Sequence, residues 1–163
     1  MHAKNRLEDK VFDSLDAMMA AYADEAVRVA RAEHGVRLDY ADADNGDTLV
    51  RLVEGILEEM LDPNRSQVND HTGGRPKTVR LDIEYATRLW GGYLGELVRR
   101  RYNGTWEMSV YPGGAISTPT LEVKGSRLYP LMKVHRRLTL GAAEDIAAFY
   151  AMVVARLGEP VAD

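Results

Sequence analysis

The stretch "LWGGYLGELVRRRYNGTW", Leu89 to Trp106, holds the switch on which the fold turns. Up to Tyr102 its periodicity is helical. Ile83, Ala86, Trp90, Leu94, Leu97 and Arg101 fall on one stripe at about 100° per residue, which predicts a helix over 79–102. "NG" at 103–104 supplies a left-handed stop, and Arg99 to Arg101 place cations in the last turn, where the helix dipole favours them. Beyond the stop the period changes to two. In "TWEMSVYP", Trp106, Met108 and Val110 lie on one face and Glu107 and Ser109 on the other, the pattern of a strand.

The predicted helix carries Gly91, Gly92 and Gly95 within five residues. Each costs roughly 0.8–1 kcal/mol relative to alanine, so the three together weaken the helix by about 2.5–3 kcal/mol. Gly91 and Gly95 lie about 80° and 120° from the centre of the apolar stripe, and Gly92 lies opposite it. They form a flank without side chains beside the core face. Such a flank admits another backbone or a flat group at short range. Close packing against a neighbouring element is the first reading, and a groove for a partner's side chain or a planar ligand is the second.

Working outward, residues 5–34 read as an amphipathic helix through Leu7, Val11, Leu15, Met18, Met19, Tyr22, Ala26, Val29 and Ala30. An acidic connector, "VRLDYADADNGD" (36–47), follows. It fails the calcium-loop pattern, because Gly46 falls at position 5 counted from Asp42 and position 12 is Val53. Asp44, Asp47 or Thr48 is the expected N-cap of a second helix over 48–61, which "DP" at 62–63 ends. A polar loop over 64–77 is a candidate contact segment. After the 106–111 strand, "TLEVKG" (120–125) and "RLYPLMKV" (127–134) read as two more, with Pro130 demoting the third to an edge or bulge. A closing helix is expected over 142–157, with Gly141 and Glu144 in capping-box-like positions.

Three helices, three strands and one helix predict an α+β fold: helices packed on one face of a small three-stranded antiparallel sheet, order ααα-βββ-α, as a single domain over 1–163. A chain of 163 residues with 45% hydrophobic and 28% charged residues can bury a core without cross-links. The absence of cysteine excludes disulfides and thiolate chemistry and fits a cytoplasmic location. The N-terminal "MHAKNRLEDKVFDSLD" has no secretory pattern, and no apolar run approaches a membrane span. With 25 acidic against 21 basic residues, the net charge of −4 gives no global drive toward nucleic acid.

Little catalytic grammar is present. The four histidines, His2, His34, His71 and His135, share no metal-ligand spacing, and no phosphate-binding glycine loop or nucleophile elbow occurs. No catalytic residue, metal or cofactor is therefore expected. Glu84–Arg88 and Glu96–Arg100 read as i,i+4 surface pairs.

"GGYLGELVRRRYNGTW" resembles a G-x-Y-L-G-E, basic-run, G-x-W signature of small bacterial proteins. The same resemblance takes in "YPLMKVHRRLTLGAAEDIAAFY" and covers roughly residues 85–150. It implies a bacterial or phage origin and a cytoplasmic role, and it carries over no catalytic residue.

Aromatics near bases are the remaining equipment. Arg99, Arg101, Tyr102, Trp106 and Tyr129 are the expected contacts for a protein partner, since Tyr, Trp and Arg most often anchor interfaces. The expected function is non-enzymatic recognition of another protein, in an immunity-, adaptor- or chaperone-like role. A homodimer is compatible with the same surface. The alternatives are a nucleic-acid or nucleotide binder using the basic clusters, or a small enzyme with an unrecognised site.

Overall fold

The computed structural model describes residues 7–40, 45–62, 67–69, 76–78 and 81–158. The fold is α+β, with helices before the sheet and after it. Its elements are α1 (Leu15–His34), α2 (Gly46–Met60), β1 (Gln67–Asn69), β2 (Pro76–Thr78), α3 (Ile83–Tyr102), β3 (Thr105–Val110), β4 (Ser117–Val123), β5 (Ser126–Leu128), α4 (Pro130–Leu140) and α5 (Ile146–Leu157), with single 3₁₀ turns at Leu7–Asp9 and Ala142–Glu144.

The helix α3 is one continuous rod. Asp82 caps it by accepting the Tyr85 N–H at 3.1 Å, and Asn103 ends it in the left-handed conformation at φ 56°. From Leu89 to Val98 it is buried all round, as expected of a central helix. α1 and α4 pack on it, and α2 packs mainly on α5. The sheet has the order β3-β4-β5, antiparallel throughout, with Trp106 opposite Leu121 and Leu121 opposite Leu128. The buried face of this sheet carries Trp106, Leu121 and Val123, and β4 contacts both α3 and α4.

Several expected boundaries move. The first helix begins at Leu15 instead of residue 5, because the Ser14 hydroxyl accepts the Ala17 N–H at 3.0 Å and opens the helix there. Val11, expected on its apolar stripe, is 99% exposed. Asn45 stands at the N-cap of α2 and makes no side-chain cap bond, and Asp47 and Thr48 lie inside the helix. Asp44 lies outside the described residues, as do His2, His71 and residues 79–80.

The 64–77 loop reading is corrected in part, since β1 and β2 within it pair antiparallel, Val68 opposite Lys77. Strands of three residues are too short for a period of two to register in sequence. The rest of that loop lies outside the described residues.

The largest correction is at 127–134. Only Ser126–Leu128 is strand, and Pro130 opens α4. Proline is tolerated at the first helical position because its missing N–H would have no partner there. Leu131, Val134 and Leu138 then face the core at helical spacing. The closing helix is capped by Asp145, whose carboxylate accepts the Ala147 N–H at 2.7 Å and the Ala148 N–H at 3.3 Å, in place of the expected Gly141 and Glu144.

Candidate interaction surface

The three glycines of α3 each receive a different neighbour. A Cβ on Gly91 would lie 2.7 Å from the Leu131 Cα of α4, and one on Gly92 would lie 3.3 Å from both Met19 Cε and Tyr22 Cβ of α1. A Cβ on Gly95 would overlap the Trp106 ring and lie 3.0 Å from Pro130 Cγ. The side-chain-free flank is therefore occupied by α1, β3 and α4.

Trp106, once seated against Gly95, donates its indole N–H to Glu96 Oε2 at 2.8 Å. Glu96 is 1% exposed, so the expectation of a surface carboxylate is corrected. Arg99 reaches it with Nε at 2.6 Å and Nη2 at 3.1 Å, and Arg100 Nε lies 3.6 Å away. The hydrogen bond to Glu96 raises the Arg99 pKa above its ordinary value. Such hydrogen-bonded pairing offsets the hydration a carboxylate loses on burial.

Tyr102 and Trp106, expected as partner contacts, are core residues. Their apolar area is consumed by the protein's own interior. The Tyr102 hydroxyl donates to Gly158 O at 3.0 Å and accepts from Arg101 Nε at 3.2 Å. Lys124 Nζ donates to Leu157 O at 2.8 Å, so the end of α5 is held by two polar side chains. Tyr129 is half-buried with its ring edge-on to Tyr111, the centroids 5.2 Å apart. The structure does not bring Arg99, Arg101, Tyr102, Trp106 and Tyr129 together as one exposed patch.

Among the described residues, bases of β5 and α4 are paired with acids inside the fold. Arg127 pairs with Glu107 at 3.2 Å, and Lys133 and Arg136 share Glu144 at 3.0 and 2.9 Å. Arg137 is 1% exposed and pairs with Glu54 and Glu58 of α2, while Glu54 also accepts the Ile146 N–H at 3.2 Å. That network ties α2 to α4 and α5. Among the described residues no group of three or more His, Asp or Glu side chains is placed to hold a metal ion, and no helix is long and apolar enough to cross a membrane.

What the molecule leaves open lies elsewhere. Trp106, Met108 and Val110 share one sheet face, yet exposure rises along it from 7% to 55% and 57%. The helical layer covers the Trp106 end and runs out before the hairpin. At that edge sits a groove of about 360 Å³, within the roughly 300–1,000 Å³ range of ligand-binding clefts. Its apolar walls come from Leu7, Phe12, Met18, Met108, Pro119 and Leu131. Methionines suit such a wall because their unbranched chains re-pack around varied shapes. Glu8, Lys10 and Arg88 supply charge at the groove, with Arg88 and Glu8 3.7 Å apart.

Sequence reasoning placed Met108 and Val110 on one face with Trp106 and missed this site. Its residues come from four separate parts of the chain, and no local pattern marks where a helical layer stops short of a hairpin.

No family model, curated protein or solved structure matches this chain.

Proposed function

We propose that this chain is a non-enzymatic binding protein of the bacterial cytoplasm that recognises another protein. The observation that supports this reading is the exposed apolar pair Met108 and Val110 on one sheet face, with Met108 lining the groove beside α1. Single exposed apolar residues are ordinary, but a contiguous patch joined to a cleft is what protein interfaces are built from. An immunity-, adaptor- or chaperone-like role fits this site, the acidic net charge and the lack of catalytic motifs. The basic clusters favour a nucleic-acid reading less, since phosphate would have to displace Glu107 and Glu144 from the arginines they hold.

The test is site-specific photocrosslinking in the native host, with p-benzoylphenylalanine at Met108 and, as control, at the exposed Glu122 of the opposite sheet face. A discrete protein adduct at 108 and none at 122 is expected. Equal labelling at both positions, or none at 108, would overturn the reading.

A further inference from the structure

The free edge of the sheet gives the partner a shape. Tyr111 N–H donates to Ile116 O at 2.8 Å, in the same register that pairs Val110 with Ser117 and Met108 with Pro119. In an antiparallel ladder, residues alternate between turning both backbone groups to the neighbour and turning both away. Thr105, Glu107 and Ser109 therefore face β4, and Trp106, Met108 and Val110 present their N–H and C=O groups to the other side. No described strand pairs there. These three residues are also the ones whose side chains lie on the groove face.

We propose that the partner is an extended, acidic peptide segment of another protein that adds as a strand to β3. This rests on the reading of the groove as a protein-binding site and names the partner's chemistry. An added strand lies about 4.8 Å beyond β3, so its alternate side chains share the Met108 face, the face over which the groove runs. Backbone hydrogen bonds to 106, 108 and 110 hold the segment, and the apolar walls select the side chains that point inward. The charge preference follows from the groove itself. Lys10 is exposed and makes no ion pair among the described residues, the nearby Glu25 being already held by Arg28 at 2.6 Å, and Arg88 lies 3.7 Å from Glu8 and is 43% exposed. Against the single Glu8 carboxylate, two cations leave the mouth positive toward an aspartate or glutamate flanking the apolar residues. On the far face of β3 the one acid, Glu107, is already paired with Arg127.

The probe is a fluorescein-labelled decapeptide alternating valine and threonine and ending in two aspartates. Its controls are a scrambled version without alternation and a version ending in two lysines. The alternating acidic peptide is expected to bind at least tenfold more tightly than either control. Hydrogen exchange should slow at the Trp106, Met108 and Val110 amides and stay unchanged at Glu107 and Ser109, which β4 already protects. Met108→Pro removes an outward N–H and leaves the bonds to β4 in place, so it should weaken binding at least tenfold while the protein still melts cooperatively.

The exchange pattern on the wild-type chain decides the matter should that variant fail to fold. Uniform or absent protection, or equal affinity for the scrambled peptide, would overturn the proposal. So would a concentration-dependent dimer of the chain alone, with slowed exchange at the same three amides, which would assign the edge to a second copy. Photocrosslinks at Met108 without alternating protection would remove this proposal and keep the groove as a protein-binding site. The absence of both would remove the two together.

Discussion

The six-membered ring of Trp106 fills the space that a Cβ on Gly95 would need, with Cζ2 2.5 Å from that position. The same indole donates to the buried carboxylate of Glu96, one residue further along α3. Glycine and carboxylate thus form one seat for the tryptophan. Gly95→Ala gains about 0.8–1 kcal/mol of helix propensity, but it forces the ring or Pro130 to move at a cost of about 1–3 kcal/mol or more. Overlap with two buried groups makes the cost win, so urea denaturation should show net destabilisation. Gly55 in the exposed part of α2 has nothing within 4 Å of its added Cβ. Gly55→Ala should stabilise by up to about 1 kcal/mol in the same assay.

Arg137 presents a different balance. It is 1% exposed between Glu54 and Glu58, whose side chains are 18% and 68% exposed. Removing the guanidinium leaves Glu54 half-enclosed, with the Ile146 N–H as its remaining donor among those bonds. Breaking a buried pair from one side costs about 3–5 kcal/mol, and the partial exposure of Glu54 places Arg137→Ala toward the lower end. Glu58→Ala should cost under about 1 kcal/mol, because that carboxylate is mostly in water. Equal losses from the two variants in chemical denaturation would show that the network is not centred on Glu54.

How much of this was legible in the sequence follows the range of the forces involved. The rod α3 could be read because its stripe, its Asn103 stop and the change to period two at Trp106 are all local. The strand reading of 127–134 fails beyond Leu128 because "RLYPLMKV" satisfies two periods at once, and Pro130 looks like a strand breaker until it is placed at a helix start. The identity of each glycine's neighbour, the burial of Glu96 and the open mouth beside Met108 depend on tertiary packing. Leu131 meets Gly91 from 40 positions away, and no window of sequence contains both.

Acid should act through Glu144. The hydrogen bond from Arg136, and then that from Lys133, lowers its carboxyl from the ordinary 4.5 to about 2. The folded state therefore binds fewer protons than the unfolded chain between those values. The stabilisation Glu144 gives is complete above about pH 4.5 and is lost as the pH falls through about 2. The stability difference between wild type and Glu144→Gln should be flat from neutral pH down to about 5 and shrink below it. A difference that grew on acidification would contradict the assigned direction.

The start of α2 offers a test of one contact between distant elements. A Cβ on Gly46 would overlap the Tyr150 hydroxyl of α5 and lie 2.7 Å from its Cζ. Burial, opposed by the nearby Arg101, pushes the Tyr150 phenol above its ordinary pKa, so the hydroxyl is held neutral in this seat. Gly46→Ala should then destabilise by about 1–3 kcal/mol through overpacking. Tyr150→Phe removes the oxygen that the new methyl would strike but keeps the ring, so the double variant should recover part of the loss. A coupling of at least about 0.5 kcal/mol in the double-mutant cycle is expected for residues in direct contact. Strict additivity would mean that the two side chains do not meet in solution, and that α2 and α5 are joined through Glu54 and the Ile146 N–H instead.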